Sequence, residues 1–435
     1  MIDLQELFRL ISESGFNEIA LNLKKIRTKQ IRFSNSTKDL SSFWEETQVD
    51  IFAASGRKYV STVLKDMESS NSVIEYMRDQ VRRIPESQSF LGINPEAQAY
   101  RINSPGKIPT IDEHDAASEM IKAATDSGAE RSAGVIYRRE EEVEVLTNYN
   151  HHSYTTGGYE AVIRSFRGSR TGQEGRHFGP NSSLTSKNFT DIGSESALHL
   201  KDDIPQRDIA PGTYDIIMSP YVLGNLLSYS SGFFSYYSVE TGMSCFSGKL
   251  NERVGSELLS LKDDPLDANG IGFRIFDDEG TATQPNYLIR EGVLKSYAHS
   301  YSTAKRAGAK TTGNAGIIYP VPFQLEMEQG TRSLESIISE VRHGLLINNA
   351  WYTRFQDYRN GVFSTVPRDG VFIVENGDLV GVGSGIRISD SIPHILMSLK
   401  EISRETKYVK WWEEIFPSRS PYALAEGINI SRSFS

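Results

Sequence analysis

Cysteine is almost absent from the chain: Cys245 is the only one in 435 residues. A single thiol excludes an intrachain disulfide and a thiolate-rich metal site, and it suits a reducing compartment. Histidine is scarce as well. None of the eight, His114, His151, His152, His177, His199, His299, His343 and His394, forms the His-Glu-x-x-His spacing that lets two imidazoles on adjacent helical turns share a zinc ion. No apolar run approaches the roughly 20 residues needed to cross a bilayer, and residues 1–15 lack the basic-then-apolar layout of a signal peptide. Positive charge is in deficit, with 47 Lys and Arg against 56 Asp and Glu, a formal charge of -9. On average such a surface repels phosphate backbones, and Arg164, Arg167 and Arg170 read as a solvated face. These absences lead us to expect a cytoplasmic protein that engages neither nucleic acid nor membrane.

What is present is a globular composition, 38% apolar and 24% charged, on a chain too long for one core. Two domains are expected, an α+β sheet-and-helix domain over 1–205 and a mostly β domain, curled or barrel-like, over 206–435. Leu4, Leu7, Phe8, Leu10 and Ile11 give an amphipathic helix ended by Ser14-Gly15. Short strands are predicted at Ile19–Lys25, Gln30–Asn35, Thr47–Ala54 and Tyr59–Leu64, with a hairpin turn at Ser55-Gly56-Arg57. Helical spacing returns over Ser70–Arg83 and Asp112–Asp126, separated by a Pro85–Pro109 loop. Gly134–Tyr137, Glu141–Thr147 and Ala161–Phe166 read as strands, the Gly- and Ser-rich 168–188 stretch as a mobile loop, and Ile192–Leu200 as a helix. A strand Tyr214–Met218 and a helix from Pro220 open the second domain. Regular glycines beyond it favour many short strands.

Several local motifs tempt a functional reading. Gly381-Val-Gly-Ser-Gly385 lacks both the dinucleotide spacing and the lysine of a phosphate loop, and reads as a glycine-rich hairpin. Asp267-Ala-Asn-Gly270 is a poor calcium loop, because Pro265 and Phe276 fall on ligand positions. Asp263-Asp264 and Asp277-Asp278-Glu279 read as turn caps before they read as a metal or acid-base cluster. His151-His152 points its rings apart at a strand end. Leu227-Ser-Tyr-Ser-Ser-Gly-Phe233 lacks the Gly-x-Ser-x-Gly elbow of a nucleophilic serine.

Read as a block, Pro211-Gly-Thr-Tyr-Asp-Ile-Ile-Met-Ser-Pro, Phe246-Ser-Gly-Lys-Leu, Asp263-Asp-Pro, Phe276-Asp-Asp-Glu-Gly-Thr, Leu288-Ile-Arg-Glu-Gly-Val-Leu-Lys and Thr311-Thr-Gly-Asn-Ala resemble the TldD/PmbA family in order and spacing. Asn360-Gly-Val-Phe-Ser and Val374-Glu-Asn-Gly extend the resemblance, and residues 1–205 are similar to the family's more variable first half. The zinc-bearing branch, TldD, carries Leu-Leu-His-Glu-x-x-x-His on a helix and a late cysteine. Here the matching stretch is Leu226-Leu-Ser-Tyr-Ser-Ser-Gly-Phe233, so Ser228 and Phe233 stand where the histidines would be and Tyr229 replaces the glutamate. The late segment around Tyr352–Arg354 has no cysteine. A serine hydroxyl is a poor zinc ligand near neutral pH and phenylalanine is none.

That pattern resembles the TldE/PmbA branch. The resemblance implies a zinc-free, non-catalytic subunit, without catalytic or metal residues of its own, active only beside a TldD-like zinc peptidase in a cytosolic heterodimer that cleaves small or unfolded peptides. It implies no cofactor in this chain and zinc in the partner. The family's label as a modulator of DNA gyrase does not imply DNA binding. Two alternatives stand beside it: a self-sufficient hydrolase using Ser228 or an acidic metal site, and a homodimeric peptide-binding protein.

Overall fold

The computed structural model describes residues 2–98, 100, 105, 108–200 and 204–433. Helix α1 (Leu4–Glu13) starts at Asp3, whose carboxylate accepts from the Gln5 and Glu6 amides and so satisfies donors that a helix start leaves free. It ends at Ser14, as expected. Three strands follow, β1 (Glu18–Ser34), β2 (Thr37–Ser55) and β3 (Lys58–Leu64). Gly56 takes φ +60° in the β2–β3 turn, a left-handed conformation that glycine adopts without a Cβ penalty. Helices α2 (Ser70–Arg83) and α3 (Glu113–Asp126) come next. Strands β4 (Arg131–Thr147), β5 (His151–Arg167) and β6 (Arg170–Phe178) and helix α4 (Ser186–Ala197) complete this half. The six strands form an antiparallel sheet in the order β3-β2-β1-β4-β5-β6.

Two sequence expectations need correction. The separate strands predicted at Ile19–Lys25 and Gln30–Asn35 are one 17-residue strand, and β4 likewise joins Gly134–Tyr137 to Glu141–Thr147. Charges mask the continuity: Arg27 on β1 pairs with Glu45 on β2 at 2.9 Å and with Glu142 on β4 at 3.2 Å. A cross-strand ion ladder here replaces apolar alternation. The 168–188 stretch, expected as a loop, holds β6 and the start of α4. Its Gly172 lies within β6 because α4 comes close; a Cβ there would sit 2.1 Å from the Ser196 carbonyl. Of the Pro85–Pro109 loop, residues 99, 101–104, 106 and 107 lie outside the described residues, and the rest contains neither helix nor strand.

Period-two alternation gives the sheet two different faces. Odd positions of β1 face the helices: Ile19, Leu21 and Leu23 pack with Leu7 and Ile11 of α1 and Ile74 and Met77 of α2, and Ile31 and Phe33 pack with Ala117 and Met120 of α3. Even positions face the second half of the chain, where the Asn22 side-chain amide donates to the Asp278 carbonyl.

The second half forms a thirteen-stranded sheet whose strands all lie between Gly212 and Arg432. Strand β7 (Gly212–Met218) runs antiparallel to the final strand, Ser418–Arg432, and parallel to His343–Ile347. Helix α5 (Pro220–Ser230) begins at Ser219, whose hydroxyl accepts from the Tyr221 and Val222 amides, with Pro220 in the first turn. Ten of its residues are buried, so it is a core helix, with Val222, Leu223, Leu226 and Leu227 in the main apolar cluster. The layout is the expected α+β one, a sheet-and-helix half followed by a mostly β half. Among the described residues no helix is long and apolar enough to cross a membrane.

Polar groups join the halves. Arg164 belongs to this junction and not to a solvated basic face: its guanidinium donates to Asp369 Oδ1 at 2.9 and 2.7 Å. Lys407 bridges Glu174 of β6 at 2.8 Å and Glu195 of α4 at 2.7 Å, and Tyr221 of α5 donates to Glu174.

Candidate functional site

The last turn of α5 carries Ser228 and Tyr229. Ser228 is 1% exposed, and its Oγ accepts from the Ile415 amide at 2.8 Å and the Phe416 amide at 2.9 Å. Tyr229 donates from its hydroxyl to Glu413 Oε2 at 3.0 Å; burial, reinforced by the Glu413 carboxylate, raises its pKa. Both residues therefore hold the same segment, 413–416. Phe233 follows in a short 3-10 turn, Ser231–Phe234, and is committed elsewhere: its ring packs against Phe355 and Phe246 with centroids 4.8 and 6.4 Å away. Ser228 and Tyr229 act together, whereas Phe233 fills an aromatic core.

The donor set does not fit a zinc ion. Two amide donors point at the Ser228 hydroxyl, Phe233 offers no lone pair, and among the described residues no group of three or more His, Cys, Asp or Glu is placed to hold a metal. Nor is a serine nucleophile formed, since no histidine contacts Ser228 among the described hydrogen bonds. The histidines are dispersed. His177 is buried, with Nδ1 accepting from the Ile271 amide and Nε2 facing the Ser418 carbonyl. His151 pairs with Glu144 at 2.7 Å and His394 with Asp390 at 2.8 Å. Cys245 is buried, and burial pushes its thiol up to about 12.

Asp277 caps a turn, as predicted, whereas Asp263 ends the strand Leu261–Asp263 and not a turn; both are buried. Asp263 accepts from the Phe323 and Gln324 amides and from the Asn314 side chain; burial still raises it to about 6. Asp277 accepts from the Glu279, Thr281 and Ala315 amides and is raised to about 7 by burial. Asp267-Ala-Asn-Gly270 is a turn, with the Asp267 side chain accepting from the Asn269 amide. Gly381 and Gly383 lie on a strand, Asp378–Gly383, that hairpins with Val371–Glu375.

Sequence reasoning missed Glu413 and Glu414, which the run Trp411-Trp-Glu-Glu414 could have flagged. Glu414 is 3% exposed, and both its oxygens lack a hydrogen-bond partner. Burial raises its pKa well above the ordinary value, with Lys410 opposing the shift and the Glu160 carboxylate adding to it. It reaches α5 at Gly224, where a Cβ would lie 3.0 Å from Glu414 Oε1 and 2.6 Å from Ser418 Oγ.

Residues 211–432, from the residue before β7 into the final strand, match the family model described as the PmbA/TldA metallopeptidase C-terminal domain. The match spans just over half of the chain. The chain belongs to the PmbA/TldD family. Among curated relatives, a metalloprotease of Methanocaldococcus jannaschii is 28% identical over 200 residues, 45% of this chain and 44% of that protein. A metalloprotease TldD homologue of Haemophilus influenzae is 30% identical over 34% of this chain and 33% of that protein. A metalloprotease PmbA homologue of Buchnera aphidicola is 23% identical over 49% and 46%. The chain spans less than half the length of these relatives. Two solved structures share the fold over 98% of this chain and 99% of theirs: TldE from Thermococcus kodakarensis, at 19% identity, and a protein described as a modulator of a DNA gyrase from Thermotoga maritima, at 20%, each with a TM-score of 0.82.

Within this PmbA/TldD domain, Ser228 has a measurable structural task. Ser228→Ala removes the acceptor of two amides, and a buried unsatisfied amide costs about 1–3 kcal/mol. We expect a loss in that range by urea denaturation, together with faster hydrogen exchange at the Ile415 and Phe416 amides. A variant as stable as wild type with unchanged exchange would show that Ser228 does not hold the segment.

Proposed function

We propose that this chain is the metal-free, TldE-type member of a two-chain cytosolic metallopeptidase, completed by a zinc-bearing TldD-like partner and acting on small or unfolded peptides. The observation that carries the reading is the commitment of Ser228, Tyr229 and Phe233 to internal hydrogen bonds and packing at the positions where the family's zinc branch has its ligands. Such side chains supply neither Lewis acidity nor an activated water. The contribution of this subunit is then to shape and enclose the peptide site of the complex. Membership of a metallopeptidase family and the fold shared with a protein named TldE support the same reading.

The test is to purify the chain alone and measure its metal content, then assay peptide cleavage before and after adding a histidine-bearing family member. No stoichiometric zinc and no cleavage are expected alone, with cleavage appearing in the mixture and co-elution of the two chains. One tightly bound zinc per chain, or chelator-sensitive cleavage by the chain alone, overturns the proposal.

A further inference from the structure

A small cleft of about 80 Å³ opens between the β1–β3 end of the first sheet and the second half of the chain, away from α5. Three rings, Phe52, Tyr59 and Phe90, line one side with mutual centroid distances of 5.3–5.4 Å. Ile317 packs against the same cluster, and Asp278 and Glu279 also line the cleft.

The charges at the cleft do not cancel. Arg306 at the rim is spent on Glu240 and the Ser89 carbonyl, and Asp278 is spent on Arg274, 2.5 Å away. Glu279 accepts from the Tyr301 amide and interacts with the Asn94 backbone. Asp277 behind it and Glu18 beside it accept from backbone amides, and among the described residues none of these three is in an ion pair with a Lys or Arg. Asn22, 1% exposed, adds a side-chain oxygen with no partner next to Asp278. A cleft lined by three rings and by a carboxyl group outside any ion pair is complementary to a cation carried on an apolar body.

We propose that this cleft is a binding site for a primary ammonium group on an aromatic or aliphatic body, the ammonium on Glu279 and the body among Phe52, Tyr59 and Phe90. The same chemistry is offered by a free arylalkylamine and by the α-amino end of a peptide. The site belongs to this chain alone and does not depend on the proposed partner or on peptide cleavage.

Burial, with Asp277 on the same turn, raises the Glu279 carboxyl well above its ordinary pKa. Wherever that carboxyl carries a proton, binding exchanges it for the ammonium: the carboxylic acid releases its proton to solvent and the carboxylate pairs with the cation. The groups around it are Asp277 and Asp278 on its own turn, Arg274 on Asp278, the Tyr301 amide, Glu18 of β1, and Arg306 with Glu240. Affinity should rise with pH as that proton is lost more easily.

Calorimetry on the full chain tests this with phenethylamine, 2-phenylethanol and phenylacetate, and with Phe-Gly-Gly carrying a free or an acetylated amino end. Phenethylamine should bind roughly tenfold or more tighter than 2-phenylethanol, which corresponds to about 1.4 kcal/mol, and phenylacetate should not bind. The apparent enthalpy should change with the buffer's ionisation enthalpy, by no more than one proton and less as pH rises. Glu279→Gln, whose amide oxygen can still accept from Tyr301, should remove the preference for the amine while 2-phenylethanol binding persists. Tighter binding of free than acetylated Phe-Gly-Gly identifies peptide ends as ligands, and binding of phenethylamine alone identifies free amines. Equal binding of the amine and the alcohol to wild type, or no binding of either amine source, overturns the proposal.

Discussion

Lys407→Met is expected to destabilise the protein by roughly 3–5 kcal/mol, the range for removing one partner from a buried ion pair. Lys407 stands between Glu174, whose side chain is 1% exposed, and Glu195 at 30%. Arg176 reaches the same acids at 3.3 and 2.5 Å, and Tyr221 donates to Glu174. The acids hold the lysine charged: burial opposes its charge, yet its pKa lies well above the ordinary value because Glu174 and Glu195 surround it. Methionine keeps most of the volume, so the loss reports charge and not packing. Glu174 would retain Arg176, which places the loss within the range and not beyond it. The measurement is the shift in urea midpoint at constant slope. Lys407→Met with Glu174→Gln should be more stable than Lys407→Met alone, because the uncompensated charge is gone. A single variant within about 1 kcal/mol of wild type, the span of an exposed pair, would mean that water reaches the network.

Much of the fold was legible because local signals and tertiary structure agree. Asp3, Asp112 and Ser219 cap the helices that their positions predict, and Gly56 takes the turn that its neighbours require. The misses share a cause. Strands β1 and β4 looked broken because their middle residues satisfy each other as cross-strand ions, and β6 looked like a loop because its Gly172 answers to the approach of α4 and its Gly175 to β5. Both facts belong to a neighbour and not to the segment itself. Ser228, Tyr229 and Phe233 could be singled out only by resemblance, since they carry no signal of their own. What they do depends on residues some 120 to 190 positions away, Phe355, Glu413, Ile415 and Phe416, which no local window joins. Asp277 and Glu279 were rightly read as turn residues, but a turn reading does not show that the turn is buried beneath an aromatic cleft.

Acid should weaken the protein through His177 by about 1.4 kcal/mol per pH unit across its titration window. Burial is the main reason its pKa falls to about 3, with Lys410 lowering it further and the hydrogen bond to the Ser418 carbonyl partly offsetting both. In the unfolded chain it returns to about 6.5. Between those values the unfolded state binds the proton that the folded state refuses, so the stabilisation is complete above about pH 6.5 and is lost as pH falls toward 3. Asp263, raised to about 6, and Asp277 and Glu326, each raised to about 7 chiefly by burial, act in the opposite sense. The folded state binds their protons first, so lowering the pH through that range favours folding. The net profile therefore mixes both signs, and wild type alone would not isolate the histidine. The difference between wild type and His177→Gln does, because the three carboxyls are common to both proteins and cancel. In urea denaturation from pH 7 to pH 4 that difference should shrink steadily below about pH 6.5, and at low pH the variant should become the more stable of the two. A difference that stays constant over this range would mean that His177 is protonated in the folded protein, and that the contact between β6 and the final strand admits water.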